Sequence, residues 1–172
     1  MKPRLAPARN VPTTSFVVLF LSLLLWLGPT TGCHLGGEPI PHPPIIQAIH
    51  DGDEARALQL LAAGSEVNKR DADGNTPLAA AAHAEMGQLV AKLIAAGADV
   101  NSQSLHGGTA LMEAANVGSA EIVRKLLQAG AQKGTKDRTG LTAADYARAR
   151  SLATSGPEHQ RYEAVLAILA TE

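Results

Sequence analysis

The sequence predicts an all-α protein, a solenoid of about four helix-turn-helix units joined by short hairpin loops. Three similar nine-residue stretches, LLAAGSEVN, LIAAGADVN and LLQAGAQKG, begin at positions 60, 93 and 126, which are 33 residues apart. A fixed period of this size is typical of repeat proteins, whose units bury their apolar faces only against their neighbours. Other residues that recur at this spacing are Gly74, Gly107 and Gly140, Thr76, Thr109 and Thr142, and Ala48, Ala81, Ala114 and Ala147.

The first element in chain order is an export signal, predicted over residues 1–32. Lys2, Arg4 and Arg9 precede the apolar run FVVLFLSLLLWL at 16–27, and the first acidic residue is Glu38. A basic start followed by a short apolar run is typical of such signals. The run is shorter than the about 20 apolar residues that a membrane-spanning helix needs.

Cys33, the single cysteine, directly follows Gly32 at the end of this segment. The junction resembles a bacterial lipoprotein signal, and the resemblance implies that Cys33 is lipidated and becomes the new N-terminus. Because His34 follows, rather than aspartate, the resemblance also implies anchoring to the outer membrane, facing the periplasm. Ordinary secretion with cleavage near Gly32 and an uncleaved anchor are the alternatives.

Residues 33–44 are predicted to be a tether, because four prolines and two glycines occur in HLGGEPIPHPP at 34–44 and oppose helix and sheet.

The repeat units follow at about 45–70, 71–103, 104–136 and 137–172. In the second unit, Thr76 is predicted to cap the first helix, with Pro77 in its first turn. Leu89, Val90, Leu93 and Ile94 form the apolar stripe of the second helix. Gly97 ends that helix.

Two departures from the repeat stand out. Glu85 occupies the inter-helix position that Gly52 and Gly118 occupy in the neighbouring units, so this turn must form without glycine. In the last unit, the apolar residues of the second helix, Val165, Ile168 and Leu169, lie nine residues further along the chain than the 33-residue period predicts. The extra length lies within 150–163. This segment is either a longer helix or loop, or an added contact element.

The stretches GNTPLAAAA at 74–82 and GGTALMEAANVGSAEIVRKLLQAGA at 107–131 resemble the ankyrin repeat, and the likeness extends over about residues 45–172. It implies that a partner protein binds the hairpin tips and the exposed face of the first helices. Leu105, Met112, Leu141 and Tyr146 are expected to form an exposed apolar strip there, unless Leu105 and Leu141 pack against adjacent hairpins. The positions carried over by this resemblance are Ala72, Asp73, Asn75, Ala79, His83, Leu105, His106, Gly108, Met112, Asn116, Val117, Arg138, Thr139, Leu141, Asp145 and Tyr146.

Charge and motifs argue against other classes of function. Without Lys2, Arg4 and Arg9, 12 of the 15 basic residues remain against 16 acidic ones, a net charge of −4, which does not favour nucleic acid. His83-x-Glu85 lacks the cysteines of a zinc deaminase, and Asp71–Asn75 lacks most ligands of a calcium loop. We therefore predict a protein with no catalytic activity, metal, cofactor or small-molecule substrate, and monomeric by itself.

The sequence thus predicts a scaffold or adaptor in the bacterial envelope that binds a protein partner, whose identity the residues do not reveal. One alternative is a periplasmic inhibitor or immunity-type protein that blocks a toxic enzyme. Another is a cytosolic ankyrin-repeat adaptor that retains its N-terminus.

Overall fold

The computed structural model describes residues 42–171, which form eight α-helices in four consecutive pairs and contain no strand. The predicted all-α fold class is therefore confirmed. The predicted export signal, Cys33 and most of the predicted tether lie outside the described residues. No helix within 42–171 has the length and apolar character needed to cross a membrane. The helices are α1 Pro44–His50, α2 Glu54–Ala62, α3 Pro77–His83, α4 Gly87–Ala95, α5 Ala110–Val117, α6 Ala120–Gln128, α7 Ala143–Ala153 and α8 Pro157–Ala170.

The repeat domain begins slightly earlier than the sequence predicted. Pro44, assigned to the tether, is the first residue of α1, and Pro43 is its N-cap. A proline is tolerated in the first turn because its missing N–H has no partner in a helix. Ile45, Ile46 and Ile49 follow it and are buried, so the last proline of the predicted tether already belongs to the packed structure.

Threonine side chains begin three of the four first helices, as the repeat predicted. Thr76 accepts a hydrogen bond from the Ala79 N–H at 3.3 Å, and Thr109 accepts one from the Met112 N–H at 3.3 Å. Thr142 adds a reciprocal bond, because the Asp145 carboxylate accepts from the Thr142 N–H at 2.9 Å. These bonds satisfy N–H groups that a helix start leaves without partners.

The core consists of two layers, one made of the first helices and one made of the second. Each first helix packs on the next (α1 on α3, α3 on α5, α5 on α7), and the second helices do the same. Ala81, Ala114 and Ala147 are fully buried between the first helices, where small side chains allow close approach. Leu93 and Leu126 of the second helices are also fully buried and supply bulk to the core.

Three short hairpin loops connect the pairs, and we call them finger 1 (71–75), finger 2 (104–108) and finger 3 (137–141). Asp71 begins finger 1, and its Oδ1 accepts from the Asn75 N–H at 2.8 Å. Neighbouring fingers stack through the Arg138 N–H, which donates to the His106 carbonyl at 3.1 Å. Gly107 permits this contact, since a Cβ there would lie 2.9 Å from Arg138 N.

The extra length of the last unit lengthens both of its helices. α7 has 11 residues and α8 has 14, against 8 and 9 in α5 and α6. The lengthened pair packs back on the array: the Tyr162 hydroxyl donates to the Asn116 carbonyl at 3.3 Å. Of the two expectations for 150–163, the longer helix is therefore confirmed, and a contact with another molecule stays a prediction.

Candidate partner-binding surface

A groove of about 470 Å³ crosses the exposed faces of α1, α3 and α5. It begins where finger 1 ends, since Asn75 is one of its walls. Half of its eight lining residues are aliphatic, and its polar side chains come from three different units. We call it the first-helix groove, and it is lined by Ile49, His50, Asn75, Ala79, Ala80, His83, Ala84 and Glu113.

His83 and Glu113 form the central polar pair of the first-helix groove. His83 Nδ1 lies 3.0 Å from Glu113 Oε2, and 63% and 34% of the two side chains are exposed. Because an ionised carboxylate only accepts hydrogen bonds, His83 donates from Nδ1. The pair joins α3 to α5 and leaves both side chains accessible from the groove.

His50 lies at the other side of the groove, next to His42. The two imidazole rings are 5.2 Å apart between centroids and meet edge to face, at 76°. His50 and His83 both line the groove, but no group of three or more His, Cys, Asp or Glu side chains between residues 42 and 171 is arranged to hold a metal ion.

A family model described as ankyrin repeats (3 copies) matches residues 45–137. This chain belongs to the ankyrin-repeat family. The predicted family is thus confirmed over the first three units of the ankyrin array, and the match ends at the start of finger 3, before the lengthened pair α7 and α8. No curated protein matches the sequence.

Most of the predicted finger residues of this ankyrin array are accessible to a partner. Leu105 is 53% exposed and Leu141 is 42% exposed, and the Leu105 side chain also lies against Gly74 of finger 1. Asn75, Asn116 and Tyr146 are half-buried. The other predicted positions that are exposed are Ala72, Asp73, His83, His106, Arg138 and Thr139.

The predicted exposed apolar strip is wrong at Met112. Its side chain is only 2% exposed and belongs to the hydrophobic core, so it is not available to a partner. The physical reason is that α5 packs against α3 on one side and α7 on the other, which leaves a narrower free stripe on the helix than the sequence predicted. Ala79 is also buried, at 6%, and only borders the groove.

Tyr146 is part of an internal contact rather than a free aromatic surface. Its hydroxyl donates to Asp137 Oδ2 at 2.7 Å, which ties α7 to finger 3. Hydrogen bonds from the Thr139 hydroxyl and then from Tyr146 lower the pKa of Asp137 to about 2. The bond to Asp137, followed by partial burial, raises the pKa of Tyr146 to about 12. Asn116 is engaged too, because Arg150 Nε donates to its Oδ1 at 2.9 Å.

Glu113 was not among the predicted binding positions, and neither were the groove residues Ile49, His50, Ala80 and Ala84. The position of Glu113 is 30 residues after His83, three fewer than the repeat period. A residue offset by three from the equivalent position lies one helical turn away on the neighbouring first helix. A histidine and an acidic residue that are 30 residues apart, three fewer than the repeat period, are therefore a sequence signal for such a contact.

Proposed function

We propose that the protein is a non-enzymatic scaffold or adaptor, which holds a partner protein against the first-helix groove and the finger tips. Ankyrin repeats are a protein–protein interaction module. The observation that carries the proposal is the open groove of about 470 Å³ over three first helices, adjoining fingers that expose Leu105 and Leu141. Apolar side chains exposed next to a groove are typical of partner sites.

The placement of the most perturbed titratable groups supports a binding role rather than catalysis. Asp137 and Tyr146, whose pKa values move to about 2 and about 12, bond to each other between finger 3 and α7. Both pKa values move away from neutrality, whereas a group that transfers protons near neutral pH needs a pKa near 7. The hydrogen bond between these two side chains therefore holds finger 3 against α7.

Affinity capture from native membranes tests the proposal. The double variant Leu105→Ser and Leu141→Ser removes both exposed leucines of the fingers, and His83→Ala removes a groove wall. We expect each to lose most of the captured partner while its helical circular dichroism matches that of the wild type. Leu152→Ser is the matched control, because Leu152 is 83% exposed on α7 and lies outside groove and fingers. Equal capture by all variants would refute the proposal.

We further propose that the protein is anchored through lipidated Cys33 to the periplasmic face of the bacterial outer membrane. The basic start, the short apolar run and the Gly32–Cys33 junction support this location. Mass spectrometry of the native protein tests it: the expected mature chain begins at an acylated Cys33, and Cys33→Ser releases the protein from the membrane. A chain that keeps residues 1–32 favours the cytosolic adaptor instead.

The identity of the captured partner separates the adaptor from the inhibitor alternative. If the partner is an enzyme, its activity is measured with and without a saturating amount of this protein. We expect the activity to be kept or increased. Complete loss of activity supports the inhibitor or immunity-type function.

A further inference from the structure

The polar atoms of the first-helix groove are mostly acceptors. Glu113 uses Oε2 for His83, and no donor within residues 42–171 bonds to its Oε1. Asn75 donates its side-chain amide to Asp71 Oδ2 at 3.2 Å, and its Oδ1 likewise has no donor among the described residues.

Neither lysine nor arginine lines the groove to donate to these acceptors, although the carboxylate of Glu113 is one-third exposed. The rest of the lining is aliphatic, with Ile49 fully buried and Ala80 and Ala84 beside it. Such a site offers apolar walls for a methylene chain and acceptors for a cationic end.

We infer that the first-helix groove binds a basic side chain of the partner protein, and that arginine fits it best. The methylene stem of the arginine packs against Ala80 and Ala84, which lie over the buried Ile49, as long basic side chains do on apolar surfaces. The guanidinium then donates to Glu113 Oε1 and to a second acceptor of the groove. Arginine is favoured over lysine because its planar group carries five donors in a fixed geometry and is the more weakly hydrated cation.

This inference rests on the proposed function, because it gives the recognition chemistry of the same groove. The probe is N-acetyl-arginine amide, titrated into isotope-labelled full-length protein and followed by nuclear magnetic resonance. We expect saturable shifts of the Ile49, Ala80 and Ala84 methyl signals. N-acetyl-lysine amide should bind more weakly, and N-acetyl-citrulline amide, which is neutral and similar in shape, should produce no saturable shift.

Two variants test the role of the groove itself. Glu113→Gln keeps the shape and removes the charge, and we expect it to weaken arginine binding at least about tenfold, as for loss of a charged hydrogen bond. Glu158→Gln, an exposed carboxylate of α8, is the matched control and should leave binding unchanged. Ala84→Met fills the groove while retaining Glu113, and should also abolish binding, which keeps the test valid if Glu113→Gln is unfolded.

The outcomes separate this inference from the proposed function. Equal binding of the arginine and citrulline probes, or equal effects of Glu113→Gln and Glu158→Gln, would overturn the arginine site. Partner capture that still depends on Leu105 and Leu141 would then leave the binding function intact. Arginine-specific shifts lost in both groove variants would establish the site.

Discussion

Arg161 Nη2 on α8 lies 2.6 Å from Glu85 Oε2 in the turn between α3 and α4, 76 residues earlier in the chain. Glu85 has a φ of 56° and is the one non-glycine with positive φ in residues 42–171, whereas Gly52 and Gly118 each have 76° in the equivalent turns. A left-handed conformation is strained for a residue with a Cβ. The lengthened α8 thus reaches back across the array to the one inter-helix turn that lacks glycine.

The backbone of Glu85 and its ion pair are expected to have separable effects on stability. Glu85→Gln keeps the strain and weakens the bond to Arg161, and should lower the free energy of unfolding by at most about 0.5 kcal/mol, because both side chains are about half exposed. Glu85→Gly also relieves the strain and should be about 1 kcal/mol more stable than Glu85→Gln. Urea unfolding followed by circular dichroism measures both, and Glu85→Gly being the less stable variant would contradict the strain argument.

Gly118 is expected to tolerate substitution far less than its counterpart Gly52. Both have a φ of 76°, but a Cβ at Gly118 would lie 2.9 Å from the Tyr162 ring, while at Gly52 nothing lies within 4 Å. Gly52→Ala therefore carries only the backbone strain, about 1 kcal/mol. Gly118→Ala should cost about 1–3 kcal/mol more, as overpacking does. Thermal and urea unfolding of the two variants give the difference, and equal losses would show that Tyr162 does not press on Gly118.

A substitution at Met112 is expected to affect folding, whereas one at Leu105 is expected to affect partner binding. Met112→Arg places a charge among buried apolar side chains and should destabilise the protein by about 3 kcal/mol or more. Leu105→Arg changes a side chain that is 53% exposed and should alter stability by less than about 0.5 kcal/mol while weakening partner capture. Melting curves and capture yields are compared; a stable Met112→Arg protein would mean that this side chain does not belong to the core.

The ionisation of Tyr146 is expected to report on the bond between α7 and finger 3. In a Tyr162→Phe background, Tyr146 is the only tyrosine, and its absorbance should titrate near pH 12, against an ordinary pKa of 10.0. Because the folded-state pKa is raised, its stabilising contribution is complete below about pH 10 and is lost as the pH rises through 12. Adding Asp137→Asn should move the midpoint back toward 10, with circular dichroism recorded in parallel to exclude unfolding. No movement would mean that the bond to Asp137 is not the cause.

Asp137 gives the corresponding prediction at acidic pH. Its pKa falls from 3.8 to about 2 through bonds from Thr139 and Tyr146. Since the folded-state pKa is lowered, the stabilisation is present above pH 3.8 and is lost as the pH falls through 2. Carboxyl resonances measured by nuclear magnetic resonance should place the Asp137 pKa higher in Thr139→Ala than in the wild type. Thr135→Ala, a change outside finger 3, is the control and should leave it unchanged.

Several features were predictable because their causes lie within a few residues of one another. Thr76 caps a helix whose N–H groups are three positions away, Pro77 fits the first turn, and Gly97 ends the second helix in the left-handed region. The 33-residue recurrence then required the units to stack. The helical fold class and the family both follow from such short-range signals.

The candidate site was less predictable, because its geometry depends on how neighbouring units register. Met112 is buried because α5 packs against a neighbouring helix on each side. Tyr146 donates a hydrogen bond to Asp137, which lies nine residues earlier. His83 contacts Glu113, which lies one helical turn before the position equivalent to His83 in the next unit.

The sequence by itself determined the repeat, its helices and their caps, since each depends on contacts along a single helix or turn. The tertiary structure alone decided which side chains of the first helices remain free, and that Arg161 meets Glu85 two units away. The physical reason is that stacking removes surface from both sides of an inner helix and brings together residues whose separation no local pattern encodes.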